Sequence, residues 1–342
     1  KSHSNIAIRP TPMLNPHIFM QHTFKRERMQ KQHYDIIGDI HGHADELIQL
    51  LELMGYSLVN GYHQHPTRKV IFLGDFVDRG LQQRLVLETV MPMVKHGSAL
   101  AIMGNHEFNA LAYHTPKPNS TNAWLRPRNN QNSHQHLAFL QEYLGNKNTD
   151  ALQGALDFFY SLPLWLDLPE LRVVHACWEP YKIKTVSRLL TDENTLDIDI
   201  LIRASTKGSD EYHAVEALLK GVEYTIPNGG FFHDKDGHKR HNVRTRWWIN
   251  QNSTLKDVAF IPPNTLSETT AKTVINANDL VGYPATEKPV FVGHYWMQGT
   301  PQKLADNVAC LDYSVAKNGK LVAYQWQGEA VLNDDHFIYI SQ

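Results

Sequence analysis

Three apolar runs, each closed by a glycine or leading to one, stand out in the first third of the chain: Tyr34-Asp35-Ile36-Ile37, Val70-Ile71-Phe72-Leu73 and Ala99-Leu100-Ala101-Ile102-Met103. Short apolar runs of this kind read as buried strands. Between them the period changes. Leu47, Ile48, Leu51 and Met54 recur at helical spacing within residues 44–56, with Gly55 as a stop. A second helical run covers residues 82–95, where Pro92 is expected to bend or end it. A third helix is expected to start at Asn105. The segment therefore reads as βαβαβα, a partly parallel sheet with crossover helices.

Beyond it the pattern is broken twice. Residues 115–148 carry Pro116, Pro118 and Pro127 among many Asn, Gln and His residues, and read as an insertion over the site mouth with a helix over 134–144. Leu152, Leu156, Phe159 and Leu162 then share a helical face, and Leu171-Arg172-Val173-Val174 reads as a strand ending at His175. A second insertion, 181–288, holds an amphipathic helix at 209–220 and a turn at 234–238. Pro289-Val290-Phe291-Val292 is the next strand, ending at Gly293-His294. The tail alternates over 308–316 and 321–326 around Lys317-Asn318-Gly319-Lys320, a hairpin signal. Residues 1–33, with Pro10, Pro12 and Pro16, read as an irregular arm ahead of a domain spanning 34–342.

Composition narrows the classes. At 342 residues and 42% apolar, the chain can bury a sizeable core. A formal net charge of −2 gives no reason to expect nucleic acid or a membrane surface as partner. No apolar run is long enough to suggest a membrane-spanning helix. Cys177 and Cys310 are the two cysteines, and they read as buried thiols rather than a disulfide framework. A start at Lys1 rather than Met suggests trimming, with a lean towards an export signal and a periplasmic location; the cytoplasm is the alternative. The oligomeric state is open.

The candidate chemistry lies where the strands end. Gly38-Asp39-Ile40-His41-Gly42, Gly74-Asp75-Phe76-Val77-Asp78-Arg79-Gly80 and Gly104-Asn105-His106-Glu107 follow the three runs in order. Open α/β sheets put ligand sites at such C-terminal strand ends. Carboxylate, imidazole and amide groups suit two divalent metals. Asp39 and His41 can turn towards one ion, Asp75 can bridge two, Asn105 offers a neutral oxygen, and His175 and His294 supply imidazoles. An Asp-His pair and a spare Arg suit phosphate chemistry.

In these three strings the chain resembles metallophosphoesterases of the phosphoprotein phosphatase (PPP) type. The resemblance extends over residues 34–326, is most specific in 34–108 and leaves the insertions unmatched. It implies an α/β calcineurin-like metallophosphoesterase fold: a central β-sandwich flanked by helices, with insertions near the active site. It also implies two divalent metal ions, Zn, Mn or Fe. Asp39, His41 and Asp75 would hold the first; Asp75, Asn105, His175 and His294 would hold the second. The implied reaction is direct attack of a hydroxide bridging the metals on a phosphomonoester, without a phosphoenzyme. His106 would be the general acid, Asp78 its partner, and Arg79 the grip on the phosphate.

A second phosphate-binding arginine is expected in Arg244-Thr245-Arg246-Trp247-Trp248, with Arg246 favoured over Arg244. Glu107 reads as structural, His43 as a minor phosphate candidate, and Tyr295 as the candidate lining for an aromatic leaving group. His63, His65, His134, His136, His233, His238 and His241 read as surface or packing residues. Of two departures, the first is closer to bacterial relatives and the second favours the PPP type over other metallophosphoesterases. His175-Ala176-Cys177 lacks the Gly-Gly of eukaryotic PPP enzymes, and Gly293-His294-Tyr295-Trp296 lacks the second His of Gly-His-x-His. With Cys310-Leu311-Asp312-Tyr313-Ser314, this similarity to bacterial members makes a phosphorylated protein the expected substrate, phosphotyrosine first. Small phosphomonoesters, a diadenosine tetraphosphate or a broad range of esters are alternatives. A non-catalytic metal-binding scaffold is a remote one, opposed by the intact Asp78-His106 pair.

Overall fold

The computed structural model describes residues 32–144, 149–233, 238–262 and 265–342. The proposed arm at 1–33 falls almost wholly outside the described residues, as does most of the proposed 234–238 turn.

Two sheets form the centre. The first has six strands. Lys320–Trp326 pairs antiparallel with His33–Ile37, Asp312–Tyr313 and Phe337–Ser341, and His33–Ile37 runs parallel to Arg68–Phe72 and that strand parallel to Ala99–Ala101. The second sheet orders Val308–Cys310, Val290–Val292, Arg172–Val174 and Trp165–Asp167, the last antiparallel to its neighbour. The period-2 alternation of the strands explains the layers. Ile36, Ile71, Val322 and Tyr324 face Val173, Phe291 and Ala309 in the slab between the sheets. Their neighbours Ile37, Val70 and Phe72 point the other way, onto Leu47, Leu50 and Leu51 of helix Ala44–Leu53 and Val86 and Val90 of helix Gln83–Lys95.

The helix expected over 82–95 is Gln83–Lys95, with Pro92 inside its last turn. The chain departs from the sequence-based expectation in two places. The single helix expected at 134–144 is two, Asn130–Gln135 and Leu137–Leu144, divided at His136. The alternating run at 308–316 serves both sheets: Val308–Cys310 belongs to the second and Asp312–Tyr313 to the first, so the chain crosses at the buried Leu311. The 181–288 segment carries helix Asp210–Lys220 and small hairpins, with a satellite core of Ile226, Val243, Leu255, Val258 and Ile275.

The far end of the first sheet is pinned by charge. Asp35 is fully buried; Arg68 donates to it through Nε at 3.0 and 2.9 Å, and Tyr56 donates its hydroxyl to it at 2.8 Å. Arg68 also donates to the carbonyls of Tyr34 and Trp326, which ties three adjacent strands. Removing one partner of such a pair leaves a buried unpaired charge. Arg68→Met is therefore expected to lower the unfolding free energy by about 3–5 kcal/mol, read from urea denaturation. Turnover of the folded variant should match the wild type, because Arg68 lies at the opposite end of its strand from Asp75.

Candidate active site

The strands deliver their polar tips to one place. Asp39 and His41 follow His33–Ile37, Asp75 follows Arg68–Phe72, Asn105 opens helix Asn105–His114 after Ala99–Ala101, and His175 and His294 follow strands of the second sheet. All six are buried. Six non-glycine residues here hold positive φ: His41, Asp75, Asp78, Arg79, His294 and Trp296. That backbone region is costly for residues with a Cβ, and the tertiary contacts must hold it. Gly104 meets a tight approach of a different kind: a Cβ there would lie 2.2 Å from Asp75 Oδ1.

Asp75 is central. Its Oδ2 lies 3.3 Å from His175 Nε2, 3.7 Å from His41 Nε2 and 3.9 Å from His106 Nε2. Two groups of metal-competent atoms share it: His41, Asp75 and His106, and Asp75, His175 and His294. Asn105 joins the second through Oδ1, 2.7 Å from His294 Nδ1 and 3.2 Å from His175 Nε2. Asp39 stands outside both tight groups. Its Oδ2 accepts the His294 backbone N–H at 3.0 Å, and its Oδ1 is buried without a partner. The rings are aimed from behind: Nδ1 of His41 is bonded to the Val77 carbonyl and Nδ1 of His175 to that of Leu73, leaving Nε2 for the site.

Three orphaned buried atoms, Asp39 Oδ1, His41 Nε2 and His294 Nε2, lie in this cluster. Hard oxygen and imidazole nitrogen donors with unsatisfied lone pairs fit divalent cations such as Zn, Mn or Fe. Residues 33–204 match the family model for calcineurin-like phosphoesterases.

The chain belongs to that family.

The reaction of the family is phosphoester hydrolysis, and the fold is its α/β metallophosphoesterase fold. Among sequence relatives, a bis(5'-nucleosyl)-tetraphosphatase PrpE (asymmetrical) of Oceanobacillus iheyensis is 45% identical over 73 residues, 21% of this chain. The match spans only 29% of that relative's length. Among solved structures, a protein serine/threonine phosphatase of Saccharomyces cerevisiae is similar at TM-score 0.47 and 14% identity, covering 92% of this chain and 81% of that one. The cold-active protein-tyrosine phosphatase of a psychrophilic Shewanella is similar at TM-score 0.42 and 16% identity, covering 87% and 78%.

Electrostatics in this phosphoesterase follow from crowding. Burial, then the Asp312 and Asp75 carboxylates, push Asp39 well above its ordinary value. Asp75 goes the other way: burial opposes its charge, but His175, His106 and His41 hold it well below. His175 is raised to about 10 by Asp75 and Asp39 against its burial. Burial and the neighbouring His106 drive His41 down to about 3, and burial with Arg244 drives His294 well below its ordinary value. A bound divalent cation would relieve the like-charge contacts among the carboxylates and use neutral imidazoles as ligands.

Around this centre, His106 Nδ1 meets Asp78 Oδ2 at 2.5 Å, with His106 Nε2 on the side of Asp75. Burial opposes charge on His106, but Asp75 and Asp78 outweigh it and raise its pKa. Glu107 accepts the backbone N–H groups of Asp75, Phe76 and Gly104, and so ties two strand ends together. Arg79 lies over Trp296, 5.1 Å from the ring centroid, and that indole is 5.9 Å from the His41 ring.

Four expectations need correction. Arg246 donates to the Asp257 carbonyl and lines a separate cavity of about 560 Å³; no described contact joins it to the cluster. The strand Asn242–Arg244 ends before it, and Arg244 is the one beside the site: its Nε is buried without a partner and its charge acts on His294. Tyr295 is buried, with its hydroxyl donated to the Ala176 carbonyl; the half-buried Trp296 is the aromatic next to Arg79. His43 is taken up by Gln342 and Glu46. His136 is neither surface nor mere packing: it is buried and its Nδ1 lies 2.6 Å from Asp78 Oδ1. Cys177 and Cys310 are both free and buried. No helix among the described residues is long and apolar enough to cross a membrane.

His114 yields a pH prediction. Burial, then His136 and Arg128, lower its pKa to about 4 from 6.5. The fold thus favours neutral His114 while the unfolded chain takes up a proton from pH 6.5 downwards, so stability falls as pH drops from 6.5 towards 4 and not above. His114→Gln should remove about 1–2 kcal/mol of the acid-side loss between pH 7.5 and 5. Urea midpoints of both proteins at the two pH values measure it, and equal losses would exclude His114 as the source.

Proposed function

We propose that this chain is a two-metal phosphomonoester hydrolase acting on phosphorylated protein, with phosphotyrosine as the preferred ester. The observation that carries the hydrolytic reading is the buried cluster around Asp75, in which Asp39 Oδ1, His41 Nε2 and His294 Nε2 have no partner, together with the Asp78–His106 dyad at its side. Asp39, His41 and Asp75 would hold one cation, and Asp75, Asn105, His175 and His294 the other. Such cations neutralise phosphoryl charge and make water a competent nucleophile near neutral pH.

The chain's own residues do the rest. Asp78 fixes Nδ1 of His106, so Nε2 is free to give a proton to the leaving oxygen. Arg79 offers forked donors to the phosphate, and Arg244, with its unpartnered Nε, is the second arginine in place of Arg246. Trp296, beside Arg79 and His41, supports an aryl ester by giving the leaving group an aromatic wall in place of Tyr295. A second reading, hydrolysis of a dinucleoside tetraphosphate, is favoured by the 73-residue match to the PrpE relatives.

Two substitutions separate metal holding from proton transfer. Asp75→Asn should lose bound metal and turnover together. His106→Ala should keep two metals per chain and lose turnover by about 10²–10⁴-fold. Metal analysis alongside steady-state rates reads both, and near wild-type turnover in either variant with metals bound would overturn the assignment. For the substrate, matched phosphotyrosine and phosphoserine peptides and diadenosine tetraphosphate are compared on protein loaded with Zn or Mn. The highest kcat/KM is expected for phosphotyrosine. A preference for the tetraphosphate would establish the second reading, a preference for phosphoserine would remove the tyrosine reading, and no turnover on any with two metals bound would favour a scaffold.

A further inference from the structure

Asp78 is held from both sides. Its Oδ2 meets His106 Nδ1 at 2.5 Å and its Oδ1 meets His136 Nδ1 at 2.6 Å, with the carboxylate and both rings buried. The terminal torsion of an aspartate is broad when a single partner holds it. Two donors on opposite oxygens fix the carboxylate plane, and with it the direction in which His106 presents Nε2. A second anchor shows that His136 is delivered to this point by its surroundings. Glu142, on the helix Leu137–Leu144 that begins just after His136, accepts the backbone N–H groups of Gln83 and Arg84 at 2.8 and 2.7 Å. Those groups open the helix that follows the Asp78-Arg79-Gly80 turn, and Gln83 itself accepts the Asp78 N–H at 2.6 Å.

The imidazole of His136 is constrained on its other edge as well. It stacks on Phe139 at 4.7 Å and 18°, and its Nε2 lies 3.3 Å from His114 Nε2. Asp78 Oδ1 thus holds one ring nitrogen of His136 while the other faces His114.

We infer that His136, supplied by the 115–148 insertion, is a positioning residue for the general acid: by holding Asp78 it aims His106 at the leaving oxygen. This rests on the reading of His106 as the acid. It assigns the insertion a part in proton delivery.

The test compares His136→Phe, which keeps the ring and its stack on Phe139 but loses the donor, with His136→Asn, which keeps an N–H donor and loses the stack. His106→Ala is the reference. Manganese-loaded proteins are assayed on p-nitrophenyl phosphate and on phenyl phosphate, whose poorer leaving group depends more on protonation. His136→Phe should lower kcat on phenyl phosphate by about 10–100-fold, with KM unchanged and a smaller loss on p-nitrophenyl phosphate. His136→Asn should recover most of that loss. If His136→Phe does not fold, His136→Asn and His136→Leu, close in size and differing in the donor, carry the same comparison. Wild-type rates in the donor-less variant, or an Asn variant as impaired as Phe, overturn the inference while the steeper leaving-group dependence of His106→Ala still stands. If His106→Ala shows no such dependence, the acid reading falls and this inference with it.

Discussion

Asp75 carries a buried carboxylate that three imidazoles approach within 4 Å, and the arrangement of both sheets follows from the need to bring them there. His41 and His106 come from the first sheet and the helix behind it; His175 comes from the second sheet. A carboxylate so placed is tolerable only with opposite charge around it, because desolvation alone would protonate it. Glu107 holds the strand ends in register by collecting three backbone N–H groups, and Gly104 leaves the space that Asp75 occupies. The positive φ angles of Asp75 and His41 are the local cost of this convergence, carried by the packed slab between the sheets.

The two ends of the first sheet thus have different duties. At one end Asp35, Arg68 and Tyr56 form a closed polar network in which each charge has its partner. At the other, Asp39 and His41 present buried atoms with no protein partner, as does His294 from the second sheet. A satisfied network stabilises; an unsatisfied one is a binding site for what would satisfy it. The same sheet separates stability from chemistry by the length of its strands.

The described residues of the 115–148 segment reach Asp78 through His136 and the start of helix Gln83–Lys95 through Glu142. The 181–288 segment reaches the opposite side, where Arg244 bears on His294 and Trp247 donates its indole N–H to the Ala176 carbonyl. Each segment therefore adds polar groups to a cluster whose other buried polar side chains come from strand ends.

Much of this was legible in the sequence, for a local reason. A strand leading into Gly-Asp, Gly-Asn or Gly-His marks both the element and a polar tip, so Asp39, His41, Asp75, Asn105 and His294 could be read one motif at a time, and His175 directly from the end of its strand, as residues that the fold brings together. The alternation of Ile36 and Ile37, or of Ile71 and Phe72, likewise announces strands buried on two faces. What the sequence alone could not decide are partnerships between segments far apart. His136 sits in a polar stretch with no motif, and only the docking of its helix 58 residues beyond Asp78 gives it a role. Arg244 and Arg246 look equivalent until the strand ends between them and sends their side chains apart. Tyr295 and Trp296 exchange their expected places because a positive φ at His294 and at Trp296 turns the chain there. Periodicity and local motifs set the elements and their tips; which distant groups meet there is decided by packing, whose energies belong to no single segment.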